Sequence, residues 1–166
     1  MGDRERLLNH LKSGPLYSFT DWREVKDLIP IATWGVYTIW LDEALFYVGM
    51  SGRGLTAETI ANAKSQNKVK GLRGRLGAHH SGRRSGDQFC VYVSDRFVIG
   101  TLNDEQIDKI SQNLISMDDL TREWIHKHLK FRFTVTTSSE ESFDLENSIK
   151  TGSLGEKPIL NPQKGD

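Results

Sequence analysis

Apolar positions along this chain fall into short stretches whose period changes repeatedly. Residues 3–12 and 21–29 carry leucine, valine and isoleucine at helical spacing and predict two short amphipathic helices separated by "SGPLYS". Asp21 with Glu24 has the form of a capping box, and Pro30 closes that segment. Residues 34–41 and 44–50 are dense in β-branched and aromatic side chains and flank Asp42-Glu43, the pattern of an antiparallel hairpin. After "SGRG" breaks the pattern, residues 56–66 and 70–80 read as helices. Residues 88–99, rich in Phe, Val and Tyr, read as a strand bent at Ser94-Asp95-Arg96. Helices follow at 103–112 and 117–128, then a strand at 131–137. A last helix begins at Ser138, boxed by Glu141, and ends at Gly152. The tail "EKPILNPQKGD" has no periodicity. These elements predict an α+β fold, a small central antiparallel or mixed β-sheet flanked by helices. They divide into an N-terminal helical extension (1–33) and a main domain (34–166) with an insertion at about 51–70.

Composition adds bounds. A chain of 166 residues, 37% apolar and 27% charged, can bury one real core. No apolar run approaches membrane-spanning length, and the first residues lack the apolar stretch of a secretion signal. The single cysteine, Cys90, excludes a disulfide framework or a cysteine-rich zinc site and suits a reducing cytoplasm. Net charge is zero, with 22 basic and 22 acidic residues, which taken alone argues against a nucleic-acid binder. The distribution argues otherwise. Residues 59–86 contain no Asp or Glu yet carry Lys64, Lys68, Lys70, Arg73, Arg75, Arg83 and Arg84, with His79 and His80. Such a block is the local footprint of phosphate contact, or else one solvated helix face.

Several chemistry-bearing residues sit in telling places. Tyr37 and Tyr47 lie in the two hairpin strands within "GVY" and "YVG". A two-residue turn at Asp42-Glu43 would put them on opposite faces, so sharing a face requires an odd loop or a bulge. In "LRGRLGAHH", Arg75 and His79 are spaced to project from one helix face, with Leu72 and Leu76 beside them as anchors. Glu146 lies mid-helix between Leu145 and Ile149, at the edge of the face that packs. Asn161 stands between Pro158 and Pro162.

This ordered set resembles the GIY-YIG nuclease superfamily over most of the chain, from about residue 34 to 162. Gly35-Val36-Tyr37 and Tyr47-Val48-Gly49 match the two triplets, "LRGRLGAHH" the arginine helix, "LEN" the glutamate helix and "PILN" the terminal asparagine. The stretch "MSGRGLTAETIANAKSQNKVKG" between second triplet and arginine helix departs from the compact family pattern. It is closer to restriction-endonuclease members, and it is where DNA backbone contact is expected. The resemblance implies a divalent-metal-dependent DNA endonuclease acting on phosphodiester bonds, related to restriction or defence. A non-catalytic nucleic-acid-binding or interaction module, or an RNA-directed nuclease, is the alternative. Tyr37 is then the general base, Tyr47 orients water or phosphate, and His79 shares the proton. Arg75 grips the phosphate, and Glu146 is the ligand of one Mg²⁺ or Mn²⁺ ion per site. Asn161 orders the site. The DNA-contacting set is Lys64, Lys68, Lys70, Arg73, His80, Arg83 and Arg84; a homodimer or a larger host complex remains open.

Overall fold

The computed structural model describes residues 2–161, so Pro162 and the end of the tail lie outside the described residues. In chain order the elements are α1 (Asp3–Ser13), β1 (Tyr17–Ser18), α2 (Trp22–Val25), β2 (Ala32–Thr33), β3 (Gly35–Leu41) and β4 (Ala44–Ser51). There follow α3 (Ala57–Ser65), β5 (Lys70–Gly71), α4 (Leu72–Ser81), α5 (Gln88–Val93), α6 (Asp104–Ser111), α7 (Met117–His128), β6 (Leu129–Val135) and α8 (Ser139–Lys150). The protein is α+β. Four antiparallel strands form the main sheet in the order β1-β6-β3-β4, and β2 pairs with β5 in a small parallel sheet. Among the described residues no helix is long and apolar enough to cross a membrane.

Strand β3 is buried along almost its whole length, because both faces of the sheet are covered. Its even positions Val36 and Trp40 meet Leu11 of α1 and Leu145 and Ile149 of α8. Its odd positions Tyr37 and Ile39 join the larger core with Leu72 and Leu76 of α4, Phe89 of α5 and Ile125 of α7. The alternation of side chains along a strand thus sorts one short sequence between two helical layers. The first 33 residues belong to this packing. Thr38 donates to the Leu11 carbonyl at 2.8 Å, β1 pairs with β6, and Phe19, Val25 and Ile29 enter the larger core. Helix α3, in the insertion, packs Ile60 and Ala63 on Ala32.

Four local readings are corrected. Residues 88–99 are helical: α5 continues into a π-turn (Ser94–Val98) and a short 3-10 turn (Ile99–Thr101). Phe89, Cys90 and Val93 face the core at helical spacing, and Asp87 caps the first turn, so burial overrides the strand preference of Phe, Val and Tyr. Residues 21–29 form no continuous helix but α2 between two 3-10 turns, and the Asp21 side chain caps nothing. The arginine helix starts at Leu72, because Lys70 and Gly71 pair with β2. Gly71 has φ 76°, and a Cβ there would collide with the Thr33 carbonyl oxygen. At Ser138 the hydroxyl accepts the Glu141 N–H, but the Glu141 carboxylate reaches Thr137 rather than closing a box on Ser138.

The hairpin resolves its parity problem with a bulge. Leu41 faces Ala44 across the two-residue turn and Trp40 faces Leu45, but Ile39 faces Tyr47, leaving Phe46 as the extra residue. Tyr37 and Ile39 share a face, so Tyr47 joins Tyr37. The outer edge of β4 is covered by the tail. The Ile159 and Leu160 N–H groups donate to Leu45 and Phe46 carbonyls at 3.1 and 2.8 Å. Asn161 then pairs with Val48 as a strand would, Oδ1 accepting its N–H at 2.7 Å and Nδ2 donating to its carbonyl at 2.8 Å. Asn161→Ala leaves two buried backbone groups of Val48 unpaired, and we expect a loss of about 2–3 kcal/mol, read as a lower urea midpoint at unchanged m. A midpoint equal to wild type would mean that the tail does not clamp this edge.

Candidate active site

Among the candidate residues, Tyr37 is one of the two most deeply buried. It stands in the central strand, 1% exposed, directly across from Gly49 of β4. A Cβ at position 49 would overlap the Tyr37 ring and hydroxyl, so the glycine of the second triplet is the space in which the tyrosine of the first one lies. Gly35 has a similar role toward the arginine helix, since its Cβ would approach the Leu72 side chain at 2.7 Å and the Thr134 carbonyl at 2.5 Å. Through these close approaches α4 comes down on the sheet and carries its polar side chains with it.

Helix α4 delivers His79 and Arg75 differently. Leu72 and Leu76 are fully buried anchors, and His79 follows them into the core at 1% exposure. Its Nε2 lies 2.6 Å from Tyr37 Oη, and its Nδ1 lies 2.6 Å from Oδ2 of Asp87. Asp87 precedes α5, and its Oδ1 accepts the Phe89 N–H at 3.1 Å. Oδ2 also accepts from the Cys90 thiol at 3.3 Å. Arg75, one turn earlier than His79, stays exposed and makes no hydrogen bond or ion pair to another described residue.

These groups line one cleft of about 590 Å³. Tyr37, Tyr47 and Gly49 come from the hairpin, Arg75 and His79 from α4, and Asp87 from the start of α5. Glu146 comes from α8, which otherwise packs on the opposite face of the sheet and reaches the cleft around edge strand β4. Glu146 is 6% exposed, with Lys150 Nζ 3.2 Å from its Oε2. Ser51, on the same cleft wall, has a buried Oγ without a hydrogen-bond partner.

Electrostatics follow from burial. Desolvation raises the Tyr37 phenol well above its ordinary value, with Arg75 as the one nearby charge that opposes it. Burial likewise pushes Tyr47 up to about 12. His79 is held below 6.5 by burial, only partly offset by Asp87. Burial disfavours the Asp87 carboxylate, but hydrogen bonds from His79, Cys90 and Phe89 outweigh it and keep this group below 3.8. At neutral pH the buried chain is therefore phenol, neutral imidazole and carboxylate.

The structure gathers Tyr37, Tyr47, Arg75, His79 and Glu146 at one cleft, while Asn161 supports its wall through Val48. The basic set is divided. Lys70 lines the cleft; Lys64 and Lys68, on and after α3, are exposed but outside it, and Arg83 is exposed. Three others already have protein partners. Arg73 donates to the Ile29 carbonyl at 2.8 Å and pairs with Asp27 at 3.2 Å, and Arg84 pairs with Asp118 at 2.9 Å. His80 lies 3.0 Å from the Phe19 carbonyl and stacks between Trp22 and His126. Gly77 serves that same packing, its backbone against Trp22, whereas Gly74 opens onto the cleft. Sequence reasoning missed Asp87, Ser51 and Arg53, all at the cleft. Asp87 was legible: it is the first acidic residue after the acid-free run and an N-cap type immediately before an apolar run.

Comparison with protein-family models, with curated proteins and with solved structures finds no match.

Two outcomes follow from this geometry. Gly49→Ala forces Tyr37 away from His79, and we expect a destabilisation of about 1–3 kcal/mol by urea denaturation together with altered Tyr37 ring resonances; unchanged resonances would show that the ring has room. Acid sensitivity should come in two stages. His79, and in the same direction the half-buried His80, titrate below 6.5 in the fold, so the unfolded chain binds more protons and stability falls as pH drops below 6.5. Asp87 adds a second loss below 3.8. In His79→Gln the first stage should shrink, as measured by urea midpoints from pH 8 to 5.

Proposed function

We propose that this protein is a divalent-metal-dependent endonuclease of the GIY-YIG type that hydrolyses phosphodiester bonds in DNA. The single observation that carries the reading is the convergence of Tyr37, Tyr47, Arg75, His79 and Glu146, distant in sequence, on one cleft. Fixed charge and aimed donors are what phosphoryl chemistry needs. Arg75 is free of protein partners among the described residues and presents a permanently charged fork to a phosphate, and Arg53 and Lys70 extend positive charge along the same cleft.

The donor set fits one hard cation. Among the described residues no three His, Cys, Asp or Glu side chains gather to hold an ion; of the two carboxylates lining the cleft, Asp87 is taken up by His79, Cys90 and Phe89, which leaves Glu146, paired only with Lys150, to hold one. A Mg²⁺ or Mn²⁺ ion bound there, with water and phosphate oxygens completing its shell, would supply charge for the phosphate and for the departing oxygen. Tyr37 serves as base toward a water in the cleft, and His79 shares the proton. Tyr47 orients the water or the phosphate. Phosphate contacts at lysines and arginines position a duplex without reading its sequence, so they imply no target site.

Incubation of the protein with supercoiled plasmid, with and without Mg²⁺ or Mn²⁺, tests the reading. Metal-dependent nicking or linearisation is expected, abolished in Tyr37→Phe and Glu146→Gln while DNA binding persists. Arg75→Ala should cost about 3 kcal/mol of transition-state stabilisation, roughly a hundredfold in rate. Replacing Lys64, Lys68 and Lys70 by glutamine should weaken binding and flatten its salt dependence. Folded protein that binds DNA without cutting it under any metal would favour a binding module, and cleavage confined to RNA would move the substrate class.

A further inference from the structure

We propose that Asp87 is a positioning residue of this site: by accepting the His79 Nδ1–H it fixes the imidazole tautomer, so that Nε2 receives the Tyr37 hydroxyl proton. The inference deepens the endonuclease reading and rests on it. An ionised carboxylate only accepts hydrogen bonds. With Asp87 Oδ2 at 2.6 Å, the single hydrogen of a neutral His79 must lie on Nδ1. Nε2 is then a lone pair, and Tyr37 Oη at 2.6 Å must be the donor. The chain has one polarity throughout, from phenol to imidazole to carboxylate, and its three members are 1%, 1% and 4% exposed.

A histidine held only by packing can satisfy its ring nitrogen on a backbone carbonyl. His80, the next residue, meets a backbone carbonyl at Phe19. Asp87, in contrast, is held from three sides: Phe89 N–H on Oδ1, and His79 and the Cys90 thiol on Oδ2. Its carboxylate cannot swing away, which is the rigidity a proton-handling group requires.

The water oxygen bonds to phosphorus, its proton passes to Tyr37 Oη, and the phenolic proton passes to His79 Nε2. The bond to the leaving oxygen breaks with its electron pair on that oxygen. Asp87 stabilises the imidazolium that results, and loss of its Nε2 proton through Tyr37 to the departing oxygen or to water restores the site. This is the logic by which a buried carboxylate holds a catalytic imidazole in acyl-transfer triads, here with phenol in place of the hydroxyl nucleophile.

Asp87→Asn separates this role from a structural one. The Asn Oδ1 can still accept the Phe89 N–H and keep the cap, while its amide now donates to Nδ1 and drives the hydrogen to Nε2. Nitrogen-15 NMR of the full chain, with His79→Gln to assign the signal, should show the Nδ1–H form in wild type and the Nε2–H form in Asp87→Asn. In plasmid cleavage with Mg²⁺ or Mn²⁺, kcat should fall about 10³- to 10⁴-fold with little change in KM. Asp87→Glu should recover part of the rate. An Nε2–H form in wild type would overturn the assignment, as would a tautomer flip in Asp87→Asn without loss of kcat. Absence of cleavage by wild type would instead defeat the endonuclease reading and the proton transfer with it, while the wild-type spectrum would still decide the tautomer.

Discussion

Burying β3 on both faces is the constraint on which the molecule depends. A strand with two covered faces must send alternate side chains into different layers, so Val36, Thr38 and Trp40 serve α1 and α8 while Tyr37 and Ile39 serve the layer of α4, α5 and α7. The same alternation would put Tyr47 on the wrong face. The one-residue bulge at Phe46 corrects this and lets Phe46 and Tyr47 both lie toward the larger core. Gly35 and Gly49 then remove the two side chains that would keep α4 and the Tyr37 ring apart from the strands.

Placing a phenol, an imidazole and a carboxylate in such a core is expensive unless each finds a partner. The hydrogen-bonded chain through Tyr37, His79 and Asp87 satisfies that demand and ties three segments together at one point: the central strand, the arginine helix and the cap of α5. Arg75 is spared this burial one turn earlier, and its charge remains available to the cleft. Neighbouring positions on a single helix thus divide between structure and surface, and both line the cleft. Glu146 repeats the pattern on α8, flanked by the core residues Leu145 and Ile149 yet opening past β4 into the cleft.

The basic run shows how charge in a sequence and charge at a surface part company. Its arginines and lysines look equivalent as a list, but Arg73 and Arg84 are consumed by Asp27 and Asp118, and His80 by a stack of rings. The cleft instead draws on Arg53 and Lys70 beside Arg75. Both partner acids lie outside the acid-free stretch, so its apparent imbalance is partly neutralised by folding.

The features legible along the chain are those that short-range geometry controls. The hairpin, the spacing that puts Arg75 and His79 on one helix face with Leu72 and Leu76 beside them, and the position of Glu146 against its neighbours all follow from periods of two and 3.6, whereas the burial of His79 and the exposure of Arg75 do not. Hairpin parity leaves two ways to bring both tyrosines to one face, an odd loop or a bulge, and the structure takes the bulge with its two-residue turn. Tertiary structure decided the rest. Residues 88–99 have strand-like composition and are helical, because their buried positions and the Asp87 cap fit a helix against a sheet already filled by β3, β4 and β6. With that segment read as a strand, Asp87 had no assigned place, and its bond to His79 depends on a turn bringing two helices together. Partners such as these are chosen by the packing of distant segments, and local pattern carries no record of that choice.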